Sequence, residues 1–306
     1  MKIRLITGTA YVAVLVAFYL LKIFVHDFFF DALVYAFALI GTFEMLRAMK
    51  EKTTKAERAM VFIFAIVCIP ACAVAEYFFR YGLHVTSICF FALAVALVSL
   101  LVIRHEETNP ENLGVSFLSA VYPVLLLCIF ILTNHVSDPS AMETYPETLK
   151  RIAFDSDLLI LFIFVVSPCS DSFAYVFGRF LGKFFPRKMA PSISPNKTVV
   201  GAIGGLFGGM LGATVIYFAY NAIVVGEFID MHIWLPVYLA IGLVAGAATE
   251  FGDLVESCIK RKVGIKDMGK IMPGHGGVLD RIDSTLFAAV VVYQMFELIY
   301  LVIAVL

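Results

Sequence analysis

Nine long apolar runs divide this sequence, and they constrain its fold more than any other feature. Each run holds about 20 residues, the length of an α-helix that crosses a bilayer, whereas a barrel strand needs about 10. Because only helices and closed barrels satisfy all backbone N–H and C=O groups in hydrocarbon, the runs predict an all-α polytopic membrane protein. The nine predicted spans are residues 5–25, 28–48, 59–79, 83–103, 114–134, 157–178, 199–220, 233–254 and 284–305.

The composition supports this fold class, since 61% of the residues are hydrophobic and 15% are charged. A soluble domain is closer to half apolar and a quarter charged. The first run is longer than the apolar core of a typical signal peptide and has no clear cleavage site before His26, so we expect a retained span. Very short connections predict one helical hairpin from spans 1 and 2 and another from spans 3 and 4.

Lys and Arg residues are unevenly distributed among the segments that connect the spans. With a cytoplasmic N-terminus, the inner segments are 1–4, 47–58, 104–113, 179–198 and 255–283. They contain every Lys and Arg of the chain except Lys22, Arg80, Lys150 and Arg151. The positive-inside rule therefore favours this orientation, with the C-terminus outside. The compact chain favours a bacterial inner membrane over an organelle.

Polar and charged residues within the spans are concentrated after about residue 165. In the first half, the exceptions Lys22, Glu44 and Glu76 lie near span ends or are able to snorkel to the interface. We therefore predict that residues 1–135, with spans 1–5, form an N-terminal membrane scaffold. Residues 136–306, with spans 6–9 and the cytoplasmic loops 179–198 and 255–283, are predicted to form the catalytic region.

The first candidate cluster surrounds Asp171, near the inner end of the sixth run. An ionisable residue at such a depth is costly, and a functional site is the default interpretation. Asp171, Tyr175 and Gly178 have the spacing of one helix face, and Arg179 follows directly. A purely structural pair between Asp171 and a nearby Arg is the alternative interpretation.

The second cluster is a hydroxyl-rich segment with one lysine, just before the seventh run. Ser194, Lys197 and Thr198 lie in a predicted turn ahead of a helix, and backbone N–H groups at a helix N-terminus bind phosphate well. The segment is not a P-loop, because the order of glycine and lysine differs. An ordinary loop remains the alternative. The glycine pairs that follow favour close helix packing.

The third cluster places carboxylates at the ends of two consecutive helices. Asp253 lies at the inner end of the eighth run, and Asp280 and Asp283 lie three residues apart at the start of the ninth. Convergence of these groups would form a hard oxygen site. Mg²⁺ is bound in this way, through one or two carboxylates together with substrate phosphates.

Basic residues, glycines and one histidine complete the third cluster. Lys260, Arg261, Lys266 and Arg281 are suited to neutralise phosphate charge, although any inner loop of a membrane protein is basic. The positive-inside rule explains the Lys and Arg residues of this loop, but it does not explain why acids and glycines alternate with them. His275 lies in a Pro-Gly-His-Gly-Gly turn beside the acids, and we expect it to contact a substrate or its phosphate.

These motifs resemble those of the phosphatidate cytidylyltransferases, also called CDP-diacylglycerol synthases. The family signature appears here as Ser257-Cys-Ile-Lys260-Arg261, then Lys266-Asp267, and then Pro273-Gly-His-Gly-Gly-Val-Leu-Asp-Arg-Ile-Asp283. Asp171-Ser-Phe-Ala-Tyr175 and Ser194-Pro-Asn-Lys-Thr198 resemble further family motifs. The family often has Glu where Val200 stands, which leaves the role of that position open.

The resemblance implies transfer of CMP from CTP to phosphatidate, giving CDP-diacylglycerol and pyrophosphate. It also implies Mg²⁺ as cofactor, with K⁺ as a second cation, and a homodimer is expected because family members are often dimers. Membrane lipids are expected partners, and nucleic acid is not. By position, Asp253 and Asp280 match the metal-binding carboxylates of the family. The predicted catalytic residues are Asp253, Asp280, Asp283, Lys266 and His275.

Nucleotide and anion binding is assigned to a larger set of residues in the three clusters. The set consists of Ser194, Lys197, Thr198, Lys260, Arg261, Asp267, Gly276, Gly277, Arg281, Asp171, Tyr175 and Arg179. Two other functions remain as alternatives. A CTP-dependent lipid or polyprenol kinase would use the same acids but transfer the γ-phosphate. A cation-coupled transporter would use the intramembrane acids as ion sites, but such sites usually lie near the midplane between inverted repeats.

Overall fold

The computed structural model describes residues 2–136, 155–225 and 230–305. Within these ranges the chain is almost entirely helical. The α-helices are α1 Lys2–Phe24, α2 Phe28–Ala48, α3 Lys55–Phe79, α4 Gly82–Ile103, α5 Pro110–Ala120, α6 Leu126–Asn134, α7 Ser156–Phe180, α8 Val199–Tyr220, α9 Met231–Lys262 and α10 Leu279–Val305. A 3₁₀ turn covers Lys50–Lys52, and π-helical turns cover Val121–Leu125 and Asn221–Val225.

The prediction of nine spans is confirmed, because nine helical stretches of the described residues are long and apolar enough to cross a membrane. The fifth span is not a regular helix. The π-helical turn between α5 and α6 contains Pro123, whose ring removes a backbone donor and widens the helix at that point. The eighth span is longer than predicted, since α9 has 32 residues, about 48 Å at 1.5 Å per residue.

The loop between α7 and α8 contains a small antiparallel hairpin that the sequence interpretation did not include. Its strands are β1 Lys188–Ala190 and β2 Ser194–Thr198. The predicted turn at Ser194 to Thr198 is therefore wrong, and the segment is a strand that leads directly into α8. Its last residue, Thr198, accepts a hydrogen bond from the backbone N–H of Gly201 and so caps α8.

The chain forms two compact units. The first unit contains residues 1–135 and 262–282, and the second contains residues 136–261 and 283–306. One division between the units falls after residue 135, and the segment 262–282 packs with the first unit. The scaffold role of residues 1–135 stays a prediction. Lys150 and Arg151, in the predicted outer loop, lie outside the described residues, and the orientation in the membrane stays a prediction as well.

Glycines allow the helices of the second unit to approach one another closely, as the sequence predicted. A Cβ atom on Gly208 of α8 would lie 2.5 Å from the carbonyl oxygen of Cys169 in α7. A Cβ atom on Gly246 of α9 would lie 3.3 Å from the carbonyl oxygen of Gly205 in α8. Backbone contact of this kind is typical of helix pairs in membranes, and it leaves room for polar side chains at the helix ends.

Candidate active site

In the first unit, the loop that leads into α10 is folded around the carboxylate of Asp280. The Oδ2 atom of Asp280 accepts hydrogen bonds from three backbone N–H groups, those of Met268 at 2.9 Å, Gly269 at 3.4 Å and Gly277 at 2.7 Å. Asp280 lies in the first turn of α10, where the helix dipole also favours negative charge. The backbone therefore fixes the position of this carboxylate.

The glycines of the Pro-Gly-His-Gly-Gly turn are required by this arrangement. Gly276 has φ +92°, a left-handed conformation that a residue with a side chain rarely adopts, and a Cβ atom there would lie 2.6 Å from Asp280 Oδ2. A backbone hydrogen bond from the N–H of Met272 to the carbonyl of Gly276, 2.9 Å long, closes the turn. The motif thus forms a tight turn whose backbone encloses the carboxylate of Asp280.

Glu44 of α2 is a second buried carboxylate at the same loop, and sequence reasoning missed it. Its side chain has no solvent exposure, and its two oxygens accept hydrogen bonds from the N–H groups of Val278 and Leu279, 3.2 and 3.0 Å away. The sequence placed Glu44 only among the acids that lie near span ends or are able to snorkel, and the structure shows that it is near the end of α2 and buried. An acid within an apolar run was the available signal, because such a residue needs a partner.

His275 is directed towards α1. Its Nδ1 atom lies 2.6 Å from the hydroxyl of Thr7, and the same hydroxyl donates to the carbonyl of Pro273 at 3.2 Å. The imidazole is half-buried. The structure thus gives His275 a partner within the protein, and its predicted contact with substrate stays a prediction.

The second unit holds its carboxylates in a different way, around the ammonium group of Lys197. The Nζ atom lies 2.8 Å from Glu250 Oε2 and 2.7 Å from Asp253 Oδ2. Burial alone would lower the pKa of Lys197, but the carboxylates of Asp253 and Glu250 outweigh it and raise this pKa above its usual value. The lysine therefore stays charged at neutral pH.

Two further acids belong to this cluster. Asp171 of α7 accepts a hydrogen bond from the hydroxyl of Ser284 at 3.0 Å, and Asp283 of α10 is buried. Asp171 is close enough to Asp283, Glu250 and Asp253 for their charges to repel one another. The structure thus gives the Asp171 carboxylate a serine partner, and both the functional interpretation and its alternative, a structural pair with a nearby Arg, stay predictions. The cluster concentrates negative charge at the ends of the helices.

The other predicted binding residues of the second unit are distributed around this cluster. Ser257 donates to Asp253 Oδ1 at 3.4 Å, Lys260 pairs with Glu256 one turn earlier on α9, and Arg261 donates to the carbonyl of Ile193 at 3.3 Å. Arg179 donates to the hydroxyl of Tyr175, and both side chains are exposed. Ser194 is half-buried in β2.

The remaining predicted residues lie in the segment of the first unit that precedes and begins α10. Lys266, Asp267 and Arg281 are exposed there, while Gly277 is buried against Glu44. Long exposed side chains at these positions are able to reach substrate phosphates, and their predicted roles stay predictions.

The donor set of the second unit fits a hard divalent cation. Within the ranges that the structure describes, no group of three or more His, Cys, Asp and Glu side chains is placed to hold a metal ion by itself. Mg²⁺ does not need such a group, because it is usually bound by one or two carboxylates plus phosphate oxygens and water. Glu250 Oε1 is buried and accepts no hydrogen bond from the described residues. A buried anionic oxygen of this kind is suited to a cation.

Known proteins similar to this chain agree with the motifs. Residues 2–299 match the cytidylyltransferase family. A phosphatidate cytidylyltransferase of Bacillus subtilis (strain 168) is 31% identical over 299 residues, which cover 97% of this chain and 98% of the relative. Phosphatidate cytidylyltransferases of Staphylococcus epidermidis (strain ATCC 12228 / FDA PCI 1200) and Staphylococcus aureus (strain COL) are 44% and 41% identical over 128 and 129 residues, each covering 42% of this chain and 45% of the relative. The resemblance found in the sequence is confirmed, and the chain belongs to the cytidylyltransferase family.

Proposed function

We propose that this chain is a phosphatidate cytidylyltransferase, a nucleotidyltransferase that makes CDP-diacylglycerol. The observation that carries the proposal is the match over almost the whole length of both chains with the Bacillus subtilis enzyme of that name. The signature residues from Ser257 to Asp283 support it independently. In the reaction, a phosphate oxygen of phosphatidate forms a bond to the α-phosphorus of CTP. The bond from that phosphorus to the β-phosphate oxygen breaks, and pyrophosphate leaves.

The chemistry asks for positioning and charge neutralisation more than for a strong base. The attacking phosphate is already anionic near pH 7, so no residue has to remove its proton. Asp253 and Asp280 are the proposed ligands of Mg²⁺, with K⁺ as a second cation, and Asp283 supports them. When bound, such a cation neutralises phosphate charge and stabilises the entering and leaving oxygens.

The protein's own residues would supply the rest of the neutralisation. Lys260, Arg261, Lys266 and Arg281 provide positive charge for the phosphates of CTP and phosphatidate. The N-terminus of α8, with Lys197 and Thr198 directly before it, provides oriented backbone N–H groups for an anion. His275 contacts a substrate phosphate from the turn that encloses Asp280. Tyr175 and Arg179 extend the same binding surface from α7.

The integral membrane location is given by the nine apolar helices within the described residues. We further propose that the protein resides in a bacterial inner membrane, with the site on the cytoplasmic side. The bacterial origin of the relatives supports the first point, and the distribution of Lys and Arg supports the second. This orientation places the site where CTP is present. A homodimer remains part of the proposal on family resemblance alone.

One labelling experiment tests the activity. Purified protein is incubated with phosphatidate, Mg²⁺ and CTP that carries the label on either the α- or the γ-phosphate. We expect label in the lipid only from α-labelled CTP, with release of pyrophosphate. Label only from the γ position would replace this proposal by the kinase, and an unlabelled lipid in both reactions would favour the transporter. Asp280→Asn protein, purified in the same way, controls for contaminating enzyme.

A further inference from the structure

The ammonium group of Lys197 occupies the position between two acids that a metal cation would also seek. Besides Glu250 Oε2 and Asp253 Oδ2, it lies 3.4 Å from the backbone carbonyl oxygen of Glu250. Three oxygens therefore surround a group with three N–H donors. The lysine side chain is 19% exposed, and that of Glu250 is 6% exposed, so solvent screens this pair weakly.

The carboxylates of this cluster outnumber its ammonium groups. Lys197 faces Glu250 and Asp253 directly, Asp171 and Asp283 lie close to these acids on α7 and α10, and the ammonium group of Lys260 acts on Asp283. Glu250 Oε2 has the lysine as a partner, whereas Glu250 Oε1 is buried without any hydrogen bond from the described residues. A buried hydrogen-bond acceptor in this state is costly. A divalent cation would supply further positive charge, and Glu250 would hold it together with Asp253.

The position of Lys197 in the chain gives it a second place to bind. It is the penultimate residue of β2, and α8 begins two residues later with Thr198 as its cap. The N-terminus of a 22-residue helix attracts anions such as phosphate. Once removed from the carboxylates, the ammonium group lies next to an anion site on its own segment.

We propose that Lys197 is an internal counter-ion, which holds Glu250 and Asp253 until a divalent cation replaces it and which then binds a nucleotide phosphate. Glu250 is accordingly a cation ligand beside Asp253. The inference rests on the proposed function, because that function supplies both the divalent cation and the triphosphate. Lys197 thus has two anionic partners in succession, first the carboxylates and then a phosphate, and Glu250 becomes part of the site.

The binding of Mn²⁺ to the purified full-length protein, without CTP or lipid, tests the exchange. Electron paramagnetic resonance measures the fraction of free Mn²⁺ during a titration with MnCl₂. Lys197→Met removes the competing charge and keeps the length of the side chain. We expect it to bind Mn²⁺ about tenfold more tightly than the unmodified protein, because one cation no longer has to be displaced. Lys188→Met, an exposed lysine of the same hairpin, is the matched control and should change nothing.

Glu250→Gln provides the opposite arm of the same experiment. Lys197 still pairs with Asp253 in this variant, and we expect the affinity for Mn²⁺ to fall about tenfold or more. A lysine with a purely structural role predicts a loss or no change on Lys197→Met, and either result in folded protein would overturn the proposal. Undetectable Mn²⁺ binding in all variants would overturn it as well.

A measurement on the unmodified protein decides the matter if Lys197→Met does not fold. Acetic anhydride acetylates accessible amines, and mass spectrometry reports the extent at each lysine. We expect the acetylation of Lys197 to rise severalfold as Mn²⁺ saturates the protein, while that of Lys188 stays constant. Bound Mn²⁺ with unchanged reactivity of Lys197 would refute the exchange. Neither experiment uses the transfer reaction, so the result of the CTP labelling assay stands or falls separately.

Discussion

Asp280 and Asp253 are the two carboxylates with the same proposed role, yet the protein holds them by opposite means. Asp280 is fixed by three backbone N–H groups in a loop whose glycines admit no side chains. Asp253 is held by the side chains of Lys197 and Ser257 and is one-third exposed. A backbone cradle cannot leave its carboxylate without unfolding the loop, whereas a lysine can change partners by rotating its side chain. The first arrangement gives permanent position, and the second permits exchange.

The largest expected effect comes from removing the charge that the backbone cradle encloses. Asp280→Asn keeps the size of the side chain but weakens three hydrogen bonds and deletes a proposed metal ligand. We expect the rate of CDP-diacylglycerol formation to fall by about 10³-fold, which corresponds to roughly 4 kcal/mol of lost transition-state stabilisation. The assay with α-labelled CTP measures the rate, and gel filtration checks the fold.

Glu106→Gln is the matched control, since it makes the same chemical change at an exposed position of the α4–α5 connection. Its activity should equal that of the unmodified protein. If Asp280→Asn retains more than about a tenth of the activity, a loss below roughly 1.4 kcal/mol, the cradle is structural and Asp280 is not a metal ligand.

The next effect concerns the stability of the cradle itself. A Cβ atom on Gly269 would lie 2.5 Å from the backbone of Gly277 and would collide with the carboxylate of Glu44, which is buried and hydrogen-bonded. We expect Gly269→Ala to lower the free energy of unfolding by about 1–3 kcal/mol, measured by denaturant titration in detergent. Gly114→Ala on α5 meets no atom within 4 Å and should leave stability unchanged or slightly higher. Equal stability of the two variants would mean that the loop moves to accommodate the Cβ atom without cost, and it would contradict the prediction.

The two regions also differ in how far the sequence predicts them. The helices follow from runs of apolar residues, because the bilayer fixes both their length and their backbone hydrogen bonds. The sequence also identifies the glycine turn around Asp280 as a site, because the residues of this motif are close together in the chain. The partner of that turn, Glu44, lies 234 residues away from Val278, and no local pattern encodes such a pairing. The bond of Lys197 to Glu250 joins residues 53 apart and was missed for the same reason.

The smallest expected effect concerns Thr198, the residue that follows Lys197. Thr198 caps α8 through the N–H of Gly201, and Thr54 of the first unit caps α3 through the N–H of Glu57. We expect Thr198→Ala and Thr54→Ala each to lower the free energy of unfolding by about 1 kcal/mol, because each removes one helix cap. If Thr198 also contacts nucleotide, only its variant should raise the KM for CTP, by about threefold to tenfold. Equal KM values for the two variants would restrict Thr198 to capping, and the phosphate site at α8 would then depend on Lys197 and the backbone alone.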